Sequence, residues 1–156
     1  MNICETIDNF DINKIFYLDP IKNTVIDNSN FIRILYSNDL LTLNGVYILL
    51  DFKNTNIINY NNRIKYCIDV NINSEIINFI KNLEKNILDN SIIKDKNQLN
   101  KLGDLLGNGY IKNINLPFYD TKLTNYNNNK FILKISGIWE SEIEYGLTYK
   151  ILDVLN

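Results

Sequence analysis

The spacing of hydrophobic residues predicts strands toward both ends of the chain and one long helix between them. β-branched and aromatic runs predict early strands at Lys14–Leu18, Phe31–Tyr36, Gly45–Phe52 and Arg63–Val70. Polar clusters at 37–39 and 59–62 predict the turns that separate the last three. In the last of these runs, Tyr66 and Ile68 alternate with Lys65, which is typical of a strand with one buried face.

A helical pattern begins at Asn73 or Ser74, either of which would act as the cap, and continues to about Asp89. Its apolar residues recur at helical spacing on one stripe, at Ile76, Ile80, Leu83 and Ile87. Polar residues are expected mostly on the opposite, solvent-facing side, at Lys81, Glu84 and Lys85. A shorter helix is predicted at Gln98–Leu106, ended by the glycines of 107–109.

The chain then returns to strand, at Tyr110–Leu116, Lys130–Trp139 and Tyr145–Val154. The last two are expected to pair antiparallel around a turn at Glu140–Glu144. The order of strands, helix and strands predicts an α+β fold, formed as a single domain over residues 1–156. It predicts either an antiparallel sheet or an OB-like five-stranded barrel, with one main amphipathic helix at about 74–89.

Strict alternation in the terminal hairpin predicts one apolar face, which carries Phe131, Leu133, Ile135 and Trp139. The other face of that strand mixes cations with aliphatic residues, at Lys130, Ile132, Lys134, Ser136 and Ile138. On the second strand, Tyr149 falls on the apolar face and Lys150 on the other. Gly137 and Gly146 occur where a bulge or a close backbone approach would require glycine.

Composition changes this picture by excluding chemistry. The chain has 29 Asn and 27 Ile but neither Ala nor His, which is typical of an AT-rich genome. Without His there is no Ser-His or Cys-His nucleophile pair and no usual zinc ligand, so a non-enzymatic role without cofactor or metal is favoured.

Composition also predicts a soluble protein with no membrane partner. The apolar content is 46%, and the sequence has neither an apolar segment of bilayer length nor the apolar core of a signal peptide. The expected location is intracellular, in host cytoplasm or nucleus or in a virion.

A short motif in the hairpin carries a resemblance to known proteins. The sequence GIW at 137–139, an acidic spacer and YGLTYK at 145–150 resemble the carboxyl-terminal strand pair of poorly characterised proteins of large DNA viruses and mobile elements. Those proteins are often taken to bind single-stranded DNA. The resemblance covers about the last quarter of the chain and implies a viral, single-stranded nucleic-acid-binding function.

Such binding requires aromatic faces for stacking on bases and cations for phosphates. The residues expected to supply them are Lys112, Tyr126, Lys130, Lys134, Trp139, Tyr145, Tyr149 and Lys150. Arg63, Lys65 and Tyr110 are expected to join the same face. The overall acidity, with a pI near 5.1, requires these cations to be segregated from the carboxylates.

Alternative interpretations remain open. A tryptophan beside a hairpin turn more commonly packs on the core, which would make Trp139 a structural anchor. Under this alternative, the chain would be a structural or interaction protein that does not bind nucleic acid, such as a virion component or a homo-oligomer. The turn glutamates Glu140, Glu142 and Glu144 would suit a hard cation, although such a run is more typical of a solvated turn.

Overall fold

A computed structural model describes residues 3–60, 63–115 and 129–154. Its strands are β1 (Glu5–Thr6), β2 (Ile15–Tyr17), β3 (Ile21–Lys22), β4 (Asn30–Ser37), β5 (Thr42–Leu43), β6 (Val46–Asp51), β7 (Thr55–Tyr60), β8 (Arg63–Ile68), β9 (Asn97–Leu99), β10 (Tyr110–Asn115), β11 (Lys130–Glu140) and β12 (Glu144–Asp153). The helices are α1 (Ser74–Asp89) and α2 (Lys101–Gly107), and short 3₁₀ turns occur at Ile7–Asn9 and Ile12–Lys14.

The long strand β11 organises the larger of two sheets. One edge of β11 pairs antiparallel with β12 along nearly its whole length. Its other edge changes partner part-way: residues 130–135 pair with β6, and residues 137–140 pair with β4. β9 extends the sheet beyond β12 and β1 extends it beyond β6, both in parallel, while β2, β3 and β5 pair with β4.

A β-bulge at Ser136 marks the point where β11 changes partner. The register with β12 shifts between Ile135 and Gly137, which leaves Ser136 as the extra residue. Backbone segments approach closely on both sides of the bulge. Gly45 has a φ of +119°, and a Cβ at that position would lie 2.7 Å from the carbonyl oxygen of Ile135. A side chain is therefore disfavoured there on both conformational and steric grounds.

The smaller sheet, in the order β10-β8-β7, packs on one face of the larger sheet, here called the inner face. The Tyr66 ring of β8 meets the Phe131 ring of β11 edge-on, with 5.5 Å between the centroids. The Phe52 ring is 6.0 Å from Phe131, so Phe131 is central to the aromatic part of the core. Both helices contribute to the same core through fully buried residues such as Ile80, Ile87, Leu102 and Leu106.

The structure confirms the predicted helix at Ser74–Asp89 and changes two details of it. Glu84 was expected to face solvent, but it is buried, with 1% of its surface exposed. Asn73 occupies the cap position, yet its side chain makes no capping bond. The Asn73 amide instead accepts from Lys53 N–H and donates to the carbonyl oxygens of Lys53 and Asp69, tying the helix to the chain before it.

The α+β class is confirmed, with a predominantly antiparallel sheet. Among the described strands, the pairings leave both sheets open and close no barrel, so the OB-like arrangement is not confirmed. β7 (Thr55–Tyr60) forms within an asparagine-rich run where no strand was predicted, and it includes the first two residues of the turn predicted at 59–62. The second helix begins at Lys101 rather than Gln98, because 97–99 pair with β12 as β9. Within the described ranges, no helix has the length and apolar character needed to cross a membrane.

Candidate nucleic-acid interface

The bulge at Ser136 decides which side chains share a face of the large sheet. Phe131, Leu133 and Ile135 point into the core, as alternation predicts, but the extra residue reverses the alternation beyond them. Ile138 is therefore fully buried in the core, and Trp139 lies on the opposite side, half-buried. The predicted position of Trp139 on the apolar face is wrong for this reason. The face of the large sheet turned away from the core is called the outer face.

Three aligned residues form a row across the outer face at its β6 end, here called the lysine row. Lys134 is directly opposite Tyr47 of β6 and directly opposite Lys150 of β12. The Lys134 ammonium lies 5.2 Å from the centre of the Tyr47 ring, which is a cation–π contact. Side chains directly opposite in an antiparallel pair are close neighbours, so the two lysines repel each other.

A second row, the aromatic row, crosses the outer face roughly 15 Å along β11 from the first. It contains Ile21, Phe31, Trp139 and Gly146, each opposite the next. Gly146 lets the tryptophan lie flat: a Cβ there would be 3.2 Å from Nε1 of Trp139. Ile21 is 54% exposed at the end of the row.

Cations flank the aromatic row. Arg33, opposite Gly137 and between the two rows, donates a hydrogen bond of 2.8 Å to the Asn44 amide oxygen. Lys101, the first residue of α2, places its ammonium 5.4 Å from the centre of the Trp139 ring. The outer face thus combines aromatic surfaces with cations, which is the chemistry that single-stranded nucleic acids require.

Among the described residues, three cations of the outer face take part in no ion pair. In the described part of the chain, the ion pairs are Lys85–Asp89, Lys96–Glu140 and Lys112–Asp153. None of them includes Arg33, Lys134 or Lys150. Asp51, opposite the exposed Lys130 at the start of β11, brings an acidic residue to the end of the outer face. Arg33, Lys134 and Lys150 therefore have no carboxylate partner among the described residues, although the whole chain is acidic.

Three of the predicted binding residues lie on the inner face instead. Tyr145 is buried, and its hydroxyl donates to the Gln98 side-chain oxygen at 3.0 Å. Tyr149 is half-buried opposite Ile135; burial raises its phenol pKa, and the charge of Glu84 adds to the rise. Lys112 forms a 2.6 Å ion pair with Asp153 and lies over the Phe131 ring. These positions correct the predicted site, because none of the three side chains joins the outer face.

The remaining predicted residues divide between three places. Lys130, Lys134, Trp139 and Lys150 are together on the outer face. Tyr126 lies outside the described residues. Lys65 and Tyr110 do meet, with 5.0 Å between ammonium and ring, but they lie on the surface of the smaller sheet that faces away from the core. Arg63, at the start of β8, is also in the smaller sheet.

Sequence reasoning missed Phe31 and Tyr47, which complete the two rows, and Arg33, which lies between them. Their strands did show alternation, with Ile32, Ile34 and Ile48 on the buried side. That pattern indicates which side chains face outward. It does not indicate that β4 and β6 both pair with β11, and this pairing brings the three residues to the site.

Sequence reasoning also missed that Glu84 is buried, since it was expected to face solvent on α1. The two carboxylate oxygens of Glu84 on α1 accept from the backbone N–H groups of Leu102 and Gly103, at 3.1 and 2.6 Å. Burial raises the pKa of Glu84, the two N–H donors lower it, and the charge of Asp104 raises it further; the net direction is upward.

This raised pKa predicts a pH-dependent stability gap between the wild type and Glu84→Gln. The folded protein holds the Glu84 proton more tightly than the unfolded chain does, so stability falls as pH rises from the ordinary glutamate pKa through the folded value. The variant lacks this titration. We expect the unfolding free energy of the wild type, minus that of the variant, to be smaller at about pH 7 than at about pH 4. Urea denaturation at both pH values measures it, and a gap that grows with pH would contradict the assignment.

The acidic turn offers no assembled metal site within the described residues, where no three carboxylate or cysteine side chains come together. Glu140 accepts from the Lys96 ammonium at 2.7 Å, and Lys96 also donates to the Ser141 carbonyl oxygen. This ion pair ties the turn to the segment before β9.

The chain matches no protein-family model, no curated protein and no solved structure. The arguments about function therefore rest on the geometry of the outer face.

Proposed function

We propose that this protein binds single-stranded nucleic acid, without base-specific readout, across the outer face of its large sheet. The observation that carries the proposal is the lysine row, where Lys134 and Lys150 oppose each other across two strands. Like charges in that arrangement destabilise a sheet. Phosphate groups bound one at each of the two ammonium groups would offset the repulsion.

The aromatic row supplies the second half of the proposed interaction. Phe31 and Trp139 are directly opposite each other on the outer face, and Lys101 and Arg33 flank them. Bases would stack on this row while the phosphates follow the lysine row and Arg33. Stacking of this kind tolerates any base, since every base has a π face. The resemblance of the GIW and YGLTYK motifs to viral single-stranded-DNA-binding proteins supports the same assignment, and an OB-like relationship remains part of this proposal.

The proposal is tested by fluorescence anisotropy with a labelled oligo-dT at low salt. We expect binding at micromolar protein, and roughly tenfold weaker binding for Lys134→Ala combined with Lys150→Ala, because each lysine removed leaves a phosphate unneutralised. The matched control is Lys85→Ala combined with Lys94→Ala, two exposed lysines outside the strands of the large sheet. It makes the same change in net charge and should leave the affinity nearly unchanged.

Two outcomes would reject the proposal. Equal losses in the two double variants would show that only net charge matters, with no site on the outer face. Absence of binding, together with a large stable assembly in light scattering, would instead select the interaction-protein alternative. One observation favours that alternative: Phe16, Ile58 and Val25 are 50% exposed or more.

A further inference from the structure

Helix α2 begins without a cap of its own. Asn100 stands at its N-cap position, and the Asn100 side chain makes no capping hydrogen bond. The open N–H groups of Leu102 and Gly103 are instead satisfied by Glu84, which reaches them from the middle of α1, 18 residues earlier than Leu102. A carboxylate at this end of a helix is favoured both by the hydrogen bonds and by the helix dipole.

The same segment determines where Lys101 lies. Lys101 immediately precedes the two residues that Glu84 holds, and Leu99, two residues before it, pairs with Gly146 in the large sheet. The carbonyl oxygen of Leu99 would be 3.1 Å from a Cβ at Gly146, so the strand and the glycine are in close contact. Lys101 is therefore fixed on both sides, by β9 before it and by Glu84 after it.

We infer that Glu84 is a positioning residue for the outer face, holding the start of α2 so that the Lys101 ammonium lies over the Trp139 ring. Its effect on ligand binding rests on the proposed function, but the positioning itself does not. Glutamine at position 84 would present one acceptor oxygen and one N–H₂ group to two N–H donors. One donor would lose its partner, and the first turn of α2 would shift away.

The fluorescence of Trp139, the only tryptophan in the chain, reports on this arrangement. Iodide is an anion and is attracted to a cation beside the ring, whereas neutral acrylamide is not. The quenching constant of iodide divided by that of acrylamide therefore measures the positive charge near Trp139. We expect Lys101→Gln to lower this ratio about twofold, and Glu84→Gln to lower it to the same extent although it removes a negative charge.

Two controls separate positioning from general destabilisation. Ile80→Val shortens a fully buried side chain of α1 and should lower the melting temperature while leaving the ratio at the wild-type value. Lys94→Gln removes an exposed lysine elsewhere and should also leave it unchanged. A lower melting temperature for Glu84→Gln with a wild-type quenching ratio would overturn the inference, because Glu84 would then be merely structural.

The wild type provides a test that does not depend on a variant folding. The amides of Leu102 and Gly103 should be protected from hydrogen exchange; rapid exchange of both would overturn the inference.

Binding of oligo-dT tests the consequence for the ligand. We expect Glu84→Gln and Lys101→Gln each to weaken binding about threefold, and the double variant to lose no more affinity than either single variant. If the wild type does not bind oligo-dT, the proposed function fails, while the quenching and exchange results still decide the role of Glu84.

Discussion

Replacing Gly137 with alanine should destabilise the protein by about 3 kcal/mol, the scale at which overpacking disrupts a close-packed site. A Cβ at this position would collide with the carbonyl oxygen of Ile32 on β4 and lie 2.6 Å from Cζ of Phe31. Backbone cannot move aside as a flexible side chain can. The substitution therefore has to separate β4 from β11 next to the bulge, where β11 already changes partner.

Gly107→Ala is the matched control for this prediction. A Cβ at Gly107, the last residue of α2, would meet only the end of the Lys81 side chain, with Nζ at 2.8 Å. That group is free to swing away, and alanine is favoured over glycine in a helix by up to about 1 kcal/mol. We expect this variant to be as stable as the wild type or slightly more so. Urea denaturation of both variants measures the contrast, and equal stability of Gly137→Ala and the wild type would contradict the close approach of the two strands.

The parts of the fold that depend on local pattern were predictable from the sequence. Helix α1 is amphipathic over four turns, and its bounds agree with the predicted ones. The terminal hairpin was also predicted, because β11 and β12 each alternate and a short acidic turn joins them. Strand β7 was missed for a physical reason. Its asparagines disfavour a strand locally, and pairing with β8 outweighs that preference.

The face of Trp139 shows where local reasoning ends. Gly137 indicated a possible bulge in the sequence. The prediction nevertheless applied strict inward and outward alternation of side chains from Phe131 through to Trp139. One extra residue moves every later side chain to the other side of the sheet. The buried side chain in this part of β11 is therefore Ile138, at 0% exposure, and the tryptophan beside it belongs to the outer face.

The rest of the site was beyond the reach of the sequence because it depends on pairing between distant segments. Arg33 and Tyr47 reach the outer face only through the register of β4 and β6 with β11, about 90 to 100 residues later. Glu84 looks like a solvent-facing residue in the pattern of α1. Its partners are N–H groups supplied by α2, and no periodicity within α1 reveals them.

The two rows of the outer face should contribute to binding in thermodynamically different ways. Phe31→Leu combined with Trp139→Leu keeps apolar side chains on the sheet but removes both π faces. We expect it to weaken oligo-dT binding by at least about 2 kcal/mol, roughly 30-fold, without changing the salt dependence. Lys134→Ala combined with Lys150→Ala should instead weaken the salt dependence. The negative slope of log association constant against log salt concentration should become shallower by about 1.4, at about 0.7 per phosphate.

Tyr110→Leu is the control for the aromatic pair. Tyr110 is also an exposed aromatic residue with an ammonium over its ring, that of Lys65, but it lies on the smaller sheet. Its loss should leave affinity and salt slope at their wild-type values. Titrations at several salt concentrations give both quantities for each variant.

The separation of the two effects matters more than either loss alone. A patch that binds polyanions by charge, such as one for an acidic protein surface, would lose salt slope with the lysines and be indifferent to the rings. A single-stranded nucleic acid requires both, because its phosphates and bases are parts of one chain that spans the roughly 15 Å between the rows. Loss of affinity from the aromatic pair at constant slope is therefore the result that distinguishes a nucleic-acid site from a merely basic one, and an unchanged affinity would exclude stacking on the outer face.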